Sequence, residues 1–380
     1  MKKKFAFFTG PFIVGGLEQV LVNAANILAK QGHSVTIVWS GAIQKNHMYN
    51  QLSPDIKQIH CCPLFHVALP TQKPKNKLKK KIWKLKYWYL IRSLRNTKKY
   101  LPDFTDYDYL IDFRNGFSKV CDIPCTKKQK KIIWVHGAYS FISSKKMLKK
   151  SKIFQYDKII CLTEKFRQQF ITAHPRHADK IQAIYNPFDL KALREKAEEP
   201  CPQAEELAPF FVHVSRIDTD KDIITMLNAY ADFYEKTKSQ TKMVFLGNGS
   251  LKSGFEKKVR DKGLEGQVFF MGNVDNPLSW TSKAKALILS SKREGLPTVL
   301  IEGQIAETLV VSSDCPDGPA EILKDGKAGL LYPPKDAEKL AEILSDIDSG
   351  KIEPAPLIQE ATNSLSRFDE SSFLKTVENL

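Results

Sequence analysis

The sequence predicts two α/β domains in tandem, each a mostly parallel sheet wound with helices. Three observations predict it. Short apolar runs alternate with longer amphipathic ones, which is the strand–helix–strand order of a parallel sheet. That alternation breaks down near residue 189, where charge and proline replace periodicity, and then starts again. The charge also changes sign between the halves. Residues 1–190 carry 34 Lys+Arg against 11 Asp+Glu, whereas residues 191–380 carry 24 against 31. At 380 residues the chain exceeds one ordinary core. The boundaries read as 1–188 and 189–380.

In the first half, "KKFAFFTG" reads as a strand. "GGLEQVLVNAANILAKQG" follows as a helix, with apolar residues at Leu17, Val20, Leu21, Ala24, Ile27 and Leu28. "HSVTIVWSG", "YDYLIDFRN", "KKIIWVHG", "YDKIICLT" and "KIQAIYNPF" are the later strands. In the second half "FFVHVSRID" is a strand and "DIITMLNAYADFYEKT" a helix. "KMVFLGNGS" is a strand followed by a helix to about residue 262. "VFFMGNV" and "ALILSS" are strands, and "TVLIEGQIAETL" is a helix. "VVSSD", "AGLLYPP" and the helix "AEKLAEILSDI" complete the set.

The bulk properties exclude several classes. No apolar run approaches the ~20 residues that cross a bilayer. "MKKKFAFFTGPFIVGG" imitates the start of a signal peptide, but its apolar part is short and runs into Gly-Gly and Glu18. It reads as a first strand, and the expected location is the cytosol. Seven cysteines, an odd number at irregular spacings, read as reduced thiols. The acidic triplets "DYD" and "DTD" read as ordinary loop acids, and no metal site is expected.

Candidate ligand groups gather where predicted strands end. Gly15 and Gly16 open a helix after a strand, which suits either a plain turn or an anion site at free helix amides. Arg216 ends a strand and Lys221 follows five residues later. A guanidinium and an ammonium converging there suit a diphosphate, or are two basic residues on a solvated loop. "FLGNGS" carries a Gly-x-Gly without the third glycine or acidic partner of a dinucleotide fingerprint. "KREGLPTVLIEGQ", residues 292–304, sets Glu294 and Glu302 eight apart across a turn. The turn leaves the sheet at its carboxyl end, where open α/β sheets bind ligands. Pro297 suits the first turn of a helix. The amides around Gly295, Leu296 and Thr298 form an anion and hydroxyl site. Glu294 can accept hydrogen bonds from sugar hydroxyls and Glu302 can reach another part of the same ligand, such as a ribose diol. Otherwise both are surface carboxylates.

Together these stretches resemble the retaining glycosyltransferases of family 4, which have the glycosyltransferase-B fold: two Rossmann-like doubly wound domains facing each other across a cleft. The resemblance rests, in the family's order, on "GGLEQVL", "WVHG", "IYNPFD", "VSRIDTDK", "FLGNGS", "VFFMGNV", "SSKREGLPTVLIEG" and "SSDCPDGPAEILKDGKAGLLYPP". It implies transfer of a hexose or N-acetylhexosamine from a nucleoside-diphosphate sugar, UDP-linked, to a hydroxyl of a lipid-linked, lipopolysaccharide or capsule glycan. It implies that Gly15 and Gly16 lie beside the phosphates and that His136 contacts the transferred sugar. Arg216 and Lys221 would neutralise the diphosphate, Glu294 would bind the sugar and Glu302 the ribose. Asn248 would frame the base or phosphate. The two cations would stand in for a divalent metal. One departure is Glu307, where the family has glycine at the end of the helix after the glutamate pair. A last helix packed back on the first domain is a further expectation. The competing readings are a transferase or phosphorylase of soluble glucan, a basic nucleic-acid binder and a dinucleotide oxidoreductase. The nucleic-acid reading leaves the glutamate pair and the glycine loops unexplained, and the incomplete dinucleotide fingerprint argues against the oxidoreductase.

Residues 73–99 carry twelve Lys+Arg, and no Asp or Glu occurs from 56 to 102. Read as a helix, Leu78, Ile82, Leu85 and Tyr89 form one apolar stripe, and Trp83, Tyr87, Leu90 and Leu94 a second. Lys77, Lys79, Lys80, Lys81, Lys84 and Lys86 lie between them. Aromatic rings beside lysines suit the headgroup level of an anionic membrane. The expectation is an enzyme held on the inner face of the cell membrane, with no nucleic-acid partner. The alternative is that one stripe packs on the first domain.

Overall fold

The computed structural model describes residues 2–10, 12, 15–39, 43, 49–60, 76, 78–79, 81–83, 85, 103–114, 120–137, 139–144, 147–148 and 152–380. Its first sheet is built from β1 (Lys4–Thr9), β2 (Ser34–Trp39), β3 (Lys57–His60), β4 (Tyr109–Asp112), β5 (Lys130–Trp134), β6 (Lys158–Cys161) and β7 (Ile181–Ala183). They run parallel in the order β3-β2-β1-β4-β5-β6-β7. The second sheet is built from β8 (Phe210–Val214), β9 (Lys242–Leu246), β10 (Val268–Gly272), β11 (Ala286–Leu289), β12 (Val310–Ser313) and β13 (Leu330–Tyr332). It is also parallel, in the order β10-β9-β8-β11-β12-β13.

Helices cover both faces. In the first half they are α1 (Gly16–Lys30), α2 (Tyr139–Ile142) and α3 (Glu164–Ala173). Two linking helices follow, α4 (Leu190–Glu198) and α5 (Pro202–Leu207). The second half holds α6 (Ile223–Thr237), α7 (Lys252–Asp261), α8 (Pro277–Thr281), α9 (Thr298–Ile305), α10 (Gly318–Ile322) and α11 (Ala337–Asp348). The chain closes with α12 (Pro354–Ser364) and α13 (Glu370–Val377).

The strands follow the sequence pattern because central parallel strands are buried on both faces and therefore read as continuous apolar runs. Phe5, Ala6, Phe7 and Phe8 of β1 are buried, as are Ala286 to Leu289 of β11. β3 escapes that signal. It is a short edge strand, half exposed, whose Gln58 accepts hydrogen bonds from the Trp39 indole and the Tyr49 hydroxyl. The helix starts follow local chemistry. Thr163 caps α3 through the Phe166 amide, Asn276 caps α8, Asp336 caps α11 and Asp369 caps α13.

The last helices return to the first domain. The Phe188 amide donates to the Phe368 carbonyl at 2.8 Å, and the Phe373 ring stacks on Trp134 at 6.0 Å. Lys30 on α1 pairs with Glu370 on α13 at 3.2 Å. One apolar cluster thus runs from Phe5 and Trp134 through Phe368 and Phe373 to Leu300 and Leu287. The carboxyl ends of both sheets face a common cleft.

Of the basic segment, Leu78, Lys79, Lys81, Ile82, Trp83 and Leu85 are described and have helical backbone. Leu78, Ile82 and Leu85 are 70%, 51% and 69% exposed. Lys77, Lys80, Lys84, Lys86, Tyr87, Tyr89, Leu90 and Leu94 lie outside the described residues. Among the described residues, no helix is long and apolar enough to cross a membrane.

Candidate active site

The loop after β11 carries the first glutamate. Buried Ser290 and Ser291 end the strand, and their hydroxyls anchor that loop. Ser290 Oγ donates to the Lys221 carbonyl at 2.8 Å, which holds the loop after β8 against the loop after β11. Ser291 Oγ donates to Glu294 Oε1 at 2.6 Å, and Lys221 Nζ donates to the same oxygen at 2.6 Å. The Lys221 and Glu294 side chains are only 19% and 13% exposed. Their attraction is therefore screened less than that of a surface pair. Among the described residues no donor reaches Glu294 Oε2, so that oxygen is left for a ligand hydroxyl.

Glu302 sits one turn into α9, partly exposed to the cleft. Burial pushes its carboxyl up, and a hydrogen bond from Thr298 partly offsets the shift. Pro297 is the N-cap residue of α9, one position before the first turn anticipated for it. Beyond the helix, Glu307 takes φ 54° in the left-handed region, and the Thr308 amide donates back to the Gly303 carbonyl at 3.0 Å. The departure from glycine thus keeps the same helix-ending turn, at the strain of a side chain with positive φ.

Arg216 lines the cleft and is 76% exposed, paired with Asp218 at 3.1 Å. Two glycines shape its loop. A Cβ on Gly247 would sit 2.0 Å from the Ser215 carbonyl, and one on Gly249 would sit 2.1 Å from that of Ile217. The "FLGNGS" glycines therefore let the β9 loop run against the Arg216 loop. Asn248 does not line the cleft. It is exposed, and its side-chain oxygen accepts from the Gly249 amide while its carbonyl accepts from Ile217. Those two bonds brace the Arg216 loop. The "DTD" acids are engaged by basic side chains, Asp218 by Arg216 and Asp220 by Arg293. Asp106 of "DYD" pairs with Lys4, and Asp108 accepts from the Lys4 amide.

The first domain faces these groups with Gly15, Gly16 and His136. Gly15 is the N-cap of α1, and a Cβ on Gly16 would meet nothing within 4 Å. The space beside Gly16 is thus open, while the Glu18 carboxylate lies close to Gly15 at the helix start. His136 follows β5 and packs on Phe113, ring centroids 4.2 Å apart, and on Trp134 at 6.0 Å. Burial pushes its imidazole down to about 3, so it is neutral near pH 7. A neutral ring can donate from one nitrogen and accept at the other.

These residues line one cleft of about 870 Å³ between the two sheets. Its size suits a nucleotide-sized ligand. At its floor the domains touch through backbone. A Cβ on Gly295 would lie 2.9 to 3.1 Å from Gly137 backbone atoms, and one on Gly318 would lie 2.3 Å from the Gly295 carbonyl oxygen. Asp317 accepts a hydrogen bond from the Tyr139 amide at 2.7 Å. Sequence reasoning singled out none of Gly137, Asp317, Gly318 and Asn186, although all four lie within stretches that carry the family resemblance.

Two family models match the chain. Residues 14–192 match the one described as Glycosyltransferase Family 4, and residues 196–364 match the one described as Glycosyl transferases group 1. A Campylobacter jejuni enzyme is 26% identical over 355 residues, covering 90% of this chain and 89% of that protein. Its name is GalNAc-alpha-(1->4)-GalNAc-alpha-(1->3)-diNAcBac-PP-undecaprenol alpha-1,4-N-acetyl-D-galactosaminyltransferase. The lipopolysaccharide 1,6-galactosyltransferase of Salmonella typhimurium is 26% identical over 215 residues, covering 55% of this chain and 57% of that one. A TarM variant of S. aureus, solved with fondaparinux, alpha-GlcNAc-glycerol and UDP, superposes with a TM-score of 0.77. It is 16% identical, and the match covers 99% of each chain. Anabaena HepE with UDP and glucose gives a TM-score of 0.73 at 17% identity, over 99% of this chain and 98% of that one. At such identities the solved structures speak for the fold.

Proposed function

The chain is a glycosyltransferase of the glycosyltransferase-B fold, and from that premise we propose its reaction. It moves a hexose or N-acetylhexosamine from a UDP-sugar to a hydroxyl of a lipid-linked, lipopolysaccharide or capsule glycan, with retention of configuration. The observation that carries this is Glu294, Glu302, Lys221, Arg216 and His136 on one cleft between the carboxyl ends of two parallel sheets. UDP in the related solved structures and glycan acceptors in the names of the relatives support the same reading.

In this reaction the bond from the sugar C1 to the diphosphate oxygen breaks. A bond from C1 to the acceptor oxygen forms, and the acceptor proton leaves to the diphosphate. Negative charge grows on the leaving group. Lys221, Arg216 and the amides opening α1 and α9 stabilise it, as fixed donors do at any developing anion. Glu294 Oε2 accepts from sugar hydroxyls while Lys221 and Ser291 hold its partner oxygen. Neutral His136 meets the sugar from the first domain, and Glu302 takes the ribose. No metal enters this scheme.

The test is UDP release from UDP-glucose, UDP-galactose, UDP-GlcNAc and UDP-GalNAc with an undecaprenyl-diphosphate glycan acceptor, the product anomer being read by NMR. Turnover with one donor and an α-linked product supports the reading. Turnover of NADH, or no UDP release with any donor, refutes it.

The basic segment docks the enzyme on an anionic membrane, where the acceptor would be presented, and binds no nucleic acid. Leu78, Ile82 and Leu85 support this, since they stand exposed beside exposed Lys79 and Lys81. Each basic residue at such a surface contributes ~1 kcal/mol, so a handful suffices for reversible attachment. Sedimentation with anionic vesicles should be strong at low salt and fall steeply as salt rises. Equal binding to neutral vesicles would discard it.

A further inference from the structure

The second domain reaches into the first through one carboxylate. Glu321 of α10 places Oε1 2.7 Å from the Glu164 amide and Oε2 2.8 Å from the Lys165 amide. These are the first two N–H groups of α3, and the helix's own cap, Thr163, takes the third, that of Phe166. Glu321 thus completes the capping of a ten-residue helix in the opposite domain, where the helix field favours an anion. The Tyr185 hydroxyl donates to the same carboxylate. Behind it, Arg367 donates to the Glu321 carbonyl at 2.9 Å and the Ile322 carbonyl at 2.7 Å, so α10 is held from both sides.

The element that α10 holds is the floor of the cleft. Its N-cap, Asp317, keeps φ 80° and bonds Tyr139 of the first domain. Gly318 lies against Gly295, and Gly295 against Gly137. Besides backbone, only the rigid Pro297 ring is among the nearest atoms of that stack, so it has little soft part. Glu294 is the neighbour of Gly295, and His136 is the neighbour of Gly137. The separation of the two groups that would face the transferred sugar is therefore set by a backbone contact, and Glu321 clamps that contact from one side.

We propose that Glu321 is a positioning residue, which acts across the domain boundary by capping α3 and so fixes His136 relative to Glu294. The proposal rests on the transferase reading above. Donor binding draws mostly on the second domain, through Arg216, Lys221, Glu294 and Glu302, and does not need the clamp. Transfer does, because a misplacement of about 1 Å can cost on the order of a hundredfold in rate.

The experiment compares wild type, Glu321→Gln and Glu321→Ala. UDP affinity is measured by calorimetry, turnover by UDP release, and overall dimensions by small-angle scattering. Glu321→Ala should lower kcat about 10- to 100-fold, leave the UDP Kd within about threefold and raise the radius of gyration. Glu321→Gln keeps one acceptor oxygen and should fall between the two. Native kcat in Glu321→Ala overturns the proposal. So does a UDP affinity that weakens in step with kcat, which marks a residue needed only for folding of the second domain. If Glu321→Ala does not fold, Glu321→Gln decides by the same two readings. Wild type that binds no UDP would instead sink the transferase reading itself.

Discussion

Replacing Gly295 by alanine isolates the contact between the domains. Gly295 does not have a positive φ, so alanine costs no backbone strain there. The whole effect is steric. The new Cβ would stand 2.9 Å from the Gly137 carbonyl carbon, 3.0 Å from its Cα and 3.1 Å from its nitrogen. Carbon atoms rest at ~3.5–4.0 Å, so the two loops must part by roughly 0.6–1 Å. Neither side can yield by turning a rotamer, because both are glycine backbone. Overpacking of this kind costs about 1–3 kcal/mol, and a shift of that size between Glu294 and His136 costs on the order of 10–100-fold in transfer. The assay is kcat/KM for the donor beside a thermal melt. Gly295→Ala should lower kcat/KM by that factor and the melting temperature by a few degrees, at roughly 2–4 °C per kcal/mol. Gly16→Ala is the control, since its Cβ meets nothing within 4 Å. It should keep its melting temperature while donor binding weakens, because a methyl then stands where the diphosphate approaches. Native kcat/KM and melting temperature in Gly295→Ala would show that the loops part freely, and the reasoning would fail.

Glu294→Ala and Arg216→Ala should each lower kcat/KM by about two decades or more, the loss typical of one transition-state contact; near-native rates in both would displace the site. Activity should survive EDTA, and full loss with rescue by magnesium or manganese would show that the cations do not serve the diphosphate alone. The burial of His136 and His213 predicts a pH dependence of stability. Their imidazoles are pushed from 6.5 down to about 3 and about 4. Between those values and 6.5 the unfolded chain binds more protons than the folded one. Stability is therefore complete above pH 6.5 and is lost as pH falls towards 4, by up to ~1.4 kcal/mol per pH unit for each ring. Urea unfolding at pH 5 and pH 7 reads it, and His136→Asn should show a shallower slope; equal slopes would contradict the burial of that ring.

The sequence by itself determined the two sheets and much of the cleft's second wall. Strands such as Phe5–Phe8 and Ala286–Leu289 are buried on both faces, so composition alone marks them. Glu294 and Lys221 were legible as cleft residues because each lies in the loop after a strand end, and strand ends in such sheets face ligands; Glu302 follows on the helix that the Glu294 turn opens. Only the tertiary structure decided the rest. β3 is a polar edge strand of four residues and carries no apolar period. Asn248 stands after a strand, and its bonds to the Gly249 and Ile217 amides tie its loop to that of Arg216, which no local pattern records. Gly137, Gly295 and Gly318 meet although more than 150 positions separate the first from the others. Glu321 in "PAEIL" has the spacing of an ordinary helix residue, and its partners, Glu164 and Lys165, belong to the other domain. Periodicity reports what faces a residue's own sheet or core. It holds no term for the surface that a second domain brings against it, and there the position of one half on the other was decided.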